Sequence, residues 1–433
     1  MQYKPSMFNN LINTADENFL LYNALSGEFI KLDYKNFEFI QNIGQYQQEE
    51  SPFFDYFIKK GFIVPIEKNE MFFILNRKHQ LQFSNYDISR SYVIAVTTYC
   101  NYKCLYCFED GLTYNKMTID NAQQTGNFII QEILNNPLLK NLRITWFGGE
   151  PLLNIDAIAI ITDIIKPFCS KKGINYSAGI ISNGLLLSPD IVDTLIKKDV
   201  NMIQITLDGE ETETIYYKNA KYEDLNKIIA NLEYVCGKVN VNIRLNCTKN
   251  NIQSVFSLSE RLSKKHTIRK NANIYVAQII SSKREIETLT NAEFSKLKIN
   301  FIRYIDKLGY NIQWENIIPK PRLISCGYLK TNNYAIDPKG YLYRCENYIG
   351  NEAMKIGDIY KGRYYNQADS LFIFFQPSDK CNQCSIFPIC HGGCIQKQID
   401  GTNFVDCKSK KEEIIEMLKE IYQNSIYKNQ KNL

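Results

Sequence analysis

Between residues 91 and 308 the chain repeats one pattern six times, a short β-branched or aromatic run followed by an amphipathic stretch at helical spacing. The expected strands cover 92–96, 142–147, 176–181, 202–207, 239–245 and 274–280. The expected helices cover 119–134, 155–168, 189–197, 222–235, 252–264 and 293–308. Strands that alternate with helices make a parallel sheet, because each parallel pair needs a crossover, and those crossovers are right-handed. Six units are two short of the eight that close a (β/α)8 barrel. The expectation is therefore an α/β fold, a curved and partly open (β/α)6 TIM-type barrel over 89–315. Barrel sites are built at the C-terminal ends of the strands, so chemistry is sought there.

The flanks do not share this rhythm. In residues 1–88, apolar runs at 18–23 and 28–32 flank the turn Leu25-Ser26-Gly27, a β-hairpin signal. Short helical patterns follow at 34–43 and 53–60, the latter closed by Gly61, then a brief strand at 62–65. This reads as a small α+β module of winged-helix type. Residues 319–407 are rich in turns, with a hairpin signal at Asp337-Pro338-Lys339-Gly340, and are expected to have little apolar core of their own, so bound metal is expected to hold them. The domain division expected is 1–88, 89–315, 316–408, and a C-terminal amphipathic helix with a frayed tail at 409–433.

Lys and Arg exceed Asp and Glu by a net +5 over 433 residues. That excess is dispersed, which fits solvated faces rather than a nucleic-acid footprint. No stretch reaches the roughly 20 apolar residues that cross a bilayer, and no signal-peptide pattern opens the chain. The expectations are no nucleic acid, no membrane, and a cytoplasmic protein.

Cysteine is the informative residue, with thirteen of them against three histidines. An odd number, too sparse for a disulfide scaffold, points to metal or redox chemistry. Ten fall in two groups. Cys100, Cys104 and Cys107 form C-x3-C-x2-C just after the first expected strand. Three thiolates on one loop suit three corners of a 4Fe–4S cluster and leave the fourth iron for another ligand; a zinc site completed from elsewhere is the plainer alternative. The second group is Cys326, Cys345, Cys381, Cys384, Cys390, Cys394 and Cys407, for which zinc ribbons are again the plain reading. Cys169, Cys236 and Cys247 stand at the ends of two expected helices and an expected strand and read as core residues.

Later strand ends carry more candidates. Gly148-Gly149-Glu150-Pro151 follows the second strand, its glycines able to let backbone approach a ligand and Glu150 able to accept from an ammonium. Ser182-Asn183-Gly184 ends the third strand and Thr206-Leu207-Asp208-Gly209 the fourth. Arg244, on the fifth, could pair with a carboxylate. Each alone is an ordinary turn or salt-bridge residue. On successive strand ends beside a cysteine loop they describe a site for an amino acid joined to a nucleoside.

C-x3-C-x-Tyr-C, GGEP, S-N-G and LDG in this order resemble the radical S-adenosylmethionine (SAM) superfamily. The resemblance implies that Cys100, Cys104 and Cys107 hold the cluster and that SAM chelates its open iron. It places Tyr106 against the adenine and the Gly148–Pro151 loop at the methionyl ammonium, with Ser182, Asn183, Thr206, Asp208 and Arg244 around the cofactor. Members often carry an Arg beyond LDG; here that stretch reads Ile215-Tyr216-Tyr217-Lys218, making Lys218 a substitute. The C-terminal spacing resembles the SPASM domain of peptide-modifying members. That implies a first auxiliary 4Fe–4S cluster on Cys326, Cys345 and Cys394, with an iron left open, and a second on Cys381, Cys384, Cys390 and Cys407. Residues 1–88 resemble the leader-binding domain (RiPP recognition element) of peptide maturases.

The function these resemblances imply is a radical SAM oxidoreductase, a RiPP maturase that installs a crosslink in a ribosomally made precursor peptide carrying a leader. A thioether is favoured, since an open auxiliary iron could hold a substrate thiolate. Carbon–carbon or ether links and formylglycine generation are the enzymatic alternatives, and a zinc-bound peptide-binding protein the non-enzymatic one. The implied cofactors are SAM and three 4Fe–4S clusters, and the implied electron donor is a ferredoxin or flavodoxin. No general base is nominated.

Overall fold

Five short strands are contributed by the N-terminal residues: β1 (Tyr3–Pro5), β2 (Asn9–Asn13), β3 (Phe19–Asn23), β4 (Phe29–Leu32) and β5 (Ile63–Pro65). The computed structural model describes residues 2–14, 19–45, 53–84, 88–281, 285–312, 314–401 and 406–423. Strands β2, β3 and β4 form an antiparallel sheet in that order, and β1 pairs with β5. The expected hairpin is β3–β4, with its first residue, Asn18, outside the described segments. Asn23 makes its turn. The side-chain oxygen accepts from Leu25 N and Ser26 N, both at 2.9 Å, and its amide donates to Gly61 O at 2.9 Å. An Asx side chain bonding backbone two or three residues on pre-forms such a turn.

Helices Tyr34–Gln41 and Phe54–Lys59 match the expected pair. Asp33 caps the first by accepting from Asn36 N at 2.8 Å. A third helix, Glu70–Phe83, was not expected. Its apolar residues spread around the axis, with Ile74 buried and Phe72 and Phe73 exposed, so no clean stripe marks it.

These residues belong to one compact unit, Met1–Phe83 with Gln313–Leu329 and Phe374–Leu433. One of its cores joins Phe8, Leu20, Tyr22 and Phe29 to Ile386, Phe387, Ile414, Leu418 and Ile421. The C-terminal helix, Cys407–Gln423, is amphipathic as expected; the tail at 424–433 lies outside the described residues.

The second unit, Ser84–Ile312 with Lys330–Ile373, holds the repeated strand–helix units. Its strands are β6 (Ser89–Thr97), β7 (Asn141–Gly148), β8 (Asn175–Ser182), β9 (Val200–Leu207), β10 (Asn240–Cys247) and β11 (Ala272–Gln278), then β12 (Tyr334–Ile336), β13 (Tyr341–Tyr343), β14 (Lys355–Asp358) and β15 (Gly362–Arg363). They make one sheet in the order β11-β10-β9-β8-β7-β6-β12-β13-β14-β15. Strands β6 to β11 are parallel and adjacent in sequence order. β6 pairs on its far edge with β12, so the sheet does not close on itself.

Along β7, Leu142, Ile144 and Trp146 are buried while Arg143, Thr145 and Phe147 are not, the alternation that separates two sheet faces. The buried face packs on helices Ile119–Leu134, Ile155–Lys172, Pro189–Lys197, Asp224–Val235 and Ile252–Ser263, and Cys169, Cys236 and Cys247 are in that core as expected. No helix of the described residues is long and apolar enough to cross a membrane.

Part of the turn-rich segment shares the core of the parallel sheet rather than building its own: Tyr334, Ile336, Leu342, Ile356, Ile359 and Ala368 pack into the main cluster of this unit. Strands of two to four residues are too brief for an alternating pattern to register, yet each adds buried side chains to an existing sheet. The expected hairpin at Asp337–Gly340 joins β12 to β13, with Asp337 accepting from Lys339 N and Tyr341 N at 2.9 Å.

Candidate active site

The C-x3-C-x2-C loop leaves the C-terminal end of β6. None of the three cysteines is in a disulfide, and Cys107 lies close enough to Cys100 and Cys104 to shift their ionisation. Burial dominates, pushing Cys100 up to about 11 and Cys104 up to about 12. Metal ligation needs thiolates, so loading this loop must release protons. Among the described residues no three His, Cys, Asp or Glu side chains gather around a single metal ion. A four-iron cube presents its thiolates at separate corners, and three thiols on one loop are the donor set it takes.

The loop is held from two sides. On one side is the Gly-Gly-Glu-Pro turn after β7. Gly149 N donates to Thr97 O at 3.0 Å and Glu150 N to Tyr99 O at 2.8 Å. A Cβ on Gly148 would lie 2.0 Å from Thr97 O, and one on Gly149 2.3 Å from Tyr99 O. The close approach these glycines permit is therefore to the backbone entering the cysteine loop.

Glu150 is fully buried, and its carboxylate accepts from Leu152 N at 3.1 Å, Asn183 N at 2.8 Å and Ser182 Oγ at 3.0 Å. Burial raises its pKa to about 7. Its oxygens thus tie the end of β7 to the end of β8 rather than standing open to an ammonium. Asn183 in turn donates to Asn101 Oδ1 at 2.8 Å and approaches Cys100 Sγ at 3.9 Å.

On the other side stands the short helix Glu211–Lys218, which ends as Asn219 turns left-handed at φ +53. The last carbonyls of a helix lack intrahelical donors. Here Tyr217 O accepts from Leu105 N at 2.8 Å and Lys218 O from Lys103 N at 3.1 Å, one amide on each side of Cys104. The Lys218 side chain is 1% exposed, donates to Thr206 O, and places Nζ 3.6 Å from Asp208 Oδ2.

Asp208 Oδ1 accepts from Tyr106 OH at 2.6 Å and from Asn246 Nδ2 at 3.1 Å. Asn251, at the end of β10, donates to Asp208 O at 2.7 Å and Asn246 O at 2.9 Å. Lys218, Asn246 and Asn251 complete a buried network around LDG. Of these, only Lys218 entered the sequence reading, as a cofactor contact. The signal available was the polar cluster Asn246-Cys247-Thr248-Lys249-Asn250-Asn251 at a strand end, where a barrel builds its site. Arg244 lies one strand over, level with Thr206 and Tyr275. Its Nε donates to Asn246 Oδ1 at 3.0 Å, and no acidic side chain pairs with it among the described residues.

Residues 94–251, which span the loop, both struts and the Asp208 network, match the family model of the Radical SAM superfamily. Those residues form a radical SAM domain. It is similar along nearly all its length to the radical SAM cyclopropyl synthase TigE of Paramaledivibacter caminithermalis, 25% identical over 457 residues that cover 93% of this chain and 92% of that protein. A GTP 3',8-cyclase of Clostridium acetobutylicum is 25% identical over 282 residues, 58% of this chain and 83% of that one. Among solved structures, anSMEcpe with bound AdoMet and Cp18Cys peptide superposes with TM-score 0.61 at 16% identity, covering 77% of this chain and 98% of that one. Streptococcus suis SuiB does so with TM-score 0.55 at 16% identity, covering 93% and 99%.

This radical SAM enzyme carries its other cysteine group across both units. In the N-terminal unit, Cys381, Cys384, Cys390 and Cys407 lie near one another: burial raises the Cys381 and Cys390 thiols, and neighbouring cysteines of the group add to it. Backbone bonds Cys384 N to Cys381 O and Phe387 N to Cys384 O, at 3.2 and 3.0 Å, fold that stretch into consecutive turns. Gly392, at φ +82, passes beside Cys381 where a Cβ would be 3.7 Å from its sulfur. Cys326 and Cys394 are in the same unit, and Cys345, nearly buried, is in the other.

Proposed function

We propose that this enzyme is a peptide maturase, which uses SAM to install an intramolecular bond in a ribosomally made precursor peptide. The observation that carries the reading is the likeness, over nearly the full length, to a radical SAM cyclopropyl synthase, together with a cysteine loop braced on both sides. SuiB is known bound to its precursor peptide SuiA, and anSMEcpe bound to a Cp18Cys peptide. Both support a peptide as substrate here.

Cys100, Cys104 and Cys107 would hold the SAM-binding cluster, and Cys381, Cys384, Cys390 and Cys407 an auxiliary one; Cys326, Cys345 and Cys394 are assigned to a further cluster by resemblance. When bound, cluster and SAM supply a 5′-deoxyadenosyl radical that removes one hydrogen from the peptide. The chain's own residues do the rest. Main-chain carbonyls of the Gly148–Pro151 turn take the methionyl ammonium, because the Glu150 carboxylate is already used. Arg244, lacking an acidic partner, takes the carboxylate. Ser182, Asn183, Thr206 and Tyr106 border the nucleoside. Residues 1–88, a winged-helix-like module whose three-stranded sheet has β2 and β4 at its edges, take the leader by strand addition.

Two bond types stay in play. The relative that makes a cyclopropyl group supports carbon–carbon closure, and an open auxiliary iron would support a thioether. Mass spectrometry of the precursor peptide after anaerobic incubation with reconstituted enzyme, SAM and reductant decides. Loss of two hydrogens with every Cys still alkylatable points to carbon–carbon or ether closure, and the same loss with one Cys blocked to the thioether. An unmodified peptide beside 5′-deoxyadenosine would overturn the substrate.

A further inference from the structure

Lys218 occupies the place where a cation for the SAM carboxylate is expected, yet its geometry is that of an internal tether. Its side chain is 1% exposed, its Nζ donates to Thr206 O, and it faces Asp208 Oδ2 at 3.6 Å. Among the described residues that buried Oδ2 accepts no hydrogen bond, and the ammonium is the cation that faces it. An unpaired buried carboxylate is costly. Asp208 Oδ1 meanwhile holds Tyr106 OH at 2.6 Å, the residue directly before Cys107. The main chain of Lys218 adds a second link, its carbonyl accepting from Lys103 N at 3.1 Å, while Tyr217 O accepts from Leu105 N at 2.8 Å. One residue thereby grips the fourth strand end through its side chain and the cysteine loop through its backbone.

We infer that Lys218 is a positioning residue for the three-cysteine loop, paired with Asp208, and does not touch SAM. The inference rests on the radical SAM assignment of this loop and is independent of the peptide substrate. Its Asp208 pair and the Tyr106 link fix where Cys104 and Cys107 present their sulfurs, as outer partners fix metal ligands elsewhere.

The test uses the full chain, anaerobically reconstituted, as wild type, Lys218→Met, Lys218→Arg and the pair Lys218→Met/Asp208→Asn. Two quantities are read: the half-time for chelator release of the cluster whose electron paramagnetic resonance signal shifts on adding SAM, and the SAM affinity of the loaded fraction from that same shift. Wild type must first show the shifting signal; its absence would overturn the cluster assignment rather than this role. Lys218→Met is expected to release its cluster about 10–100-fold faster, the usual cost of losing an outer partner, with SAM affinity unchanged in the loaded fraction. Lys218→Arg should recover part of the half-time. The double variant removes both charges and guards against a single variant that fails to fold; its release should still be fast. A wild-type half-time in Lys218→Met or in the double variant, with SAM affinity lost instead, would overturn the inference and make Lys218 a SAM ligand.

Discussion

Gly148→Ala tests whether the glycine turn after β7 is a brace for the cysteine loop. Gly148 sits at φ +134, where an L side chain is strained, and the new Cβ would lie 2.0 Å from Thr97 O and 3.1 Å from Thr97 C. Thr97 is the last residue of β6, so relief can come only by moving the turn or the loop. Either motion breaks Gly149 N to Thr97 O and Glu150 N to Tyr99 O. Backbone strain costs about 1–3 kcal/mol and two lost hydrogen bonds about 0.5–1.5 each, about 2–6 kcal/mol together. Gly173→Ala is the matched control. Gly173 is also left-handed, at φ +66, but nothing lies within 4 Å of its would-be Cβ, so only conformational strain of about 1–2 kcal/mol applies. Urea unfolding of both variants measures the difference, and iron content after reconstitution measures the loop. Gly148→Ala should lose stability well beyond Gly173→Ala and retain less iron. Equal losses in the two, with equal iron, would refute the bracing role.

Three further outcomes follow from the same geometry. Burial raises Glu150 to about 7 from an ordinary 4.5; the folded state thus holds a proton that the unfolded state releases, and stability falls as pH rises across that window, by about 3 kcal/mol at most. Glu150→Gln should flatten this slope in urea titrations at pH 5 and 7.5, and a slope equal to wild type would contradict it. Asp369→Asn leaves Arg344 and Arg363 unpaired, both now bonded to its carboxylate and Arg344 1% exposed; breaking such a buried pair should cost about 3–5 kcal/mol, measured as a shift in unfolding midpoint. Arg244→Met should weaken SAM binding at least severalfold in equilibrium dialysis while leaving cluster content intact, and unchanged affinity would remove Arg244 from the site.

The parallel core was legible because each helix carries an apolar stripe and each strand a β-branched run: Ile119–Leu134 and Pro189–Lys197 have the expected bounds. The three core cysteines were legible for the same reason. What escaped was carried by elements too short or too uniform to show a period. β12 to β15 have two to four residues each, and Glu70–Phe83 spreads its apolar residues around the axis.

In the site, residue identity was legible and direction was not. Gly148, Gly149 and Glu150 stand at the strand end as expected, but which surface a glycine leaves room for, and which donors fill a carboxylate, depend on neighbours distant in sequence. Thr97 and Tyr99 lie about fifty residues before the turn they face, and Ser182 and Asn183 about thirty after Glu150. Lys218 shows this most plainly. A lysine ten residues past Asp208 reads as a cofactor contact by the superfamily resemblance, and only the fold turns it back onto the aspartate.

The most direct test of the central claim is 5′-deoxyadenosine production by the anaerobically reconstituted full chain with SAM and a reductant, comparing wild type with Cys104→Ala. The braced three-cysteine loop as the SAM-cleaving centre predicts 5′-deoxyadenosine from wild type and none above background from the variant. Equal production by both would contradict it.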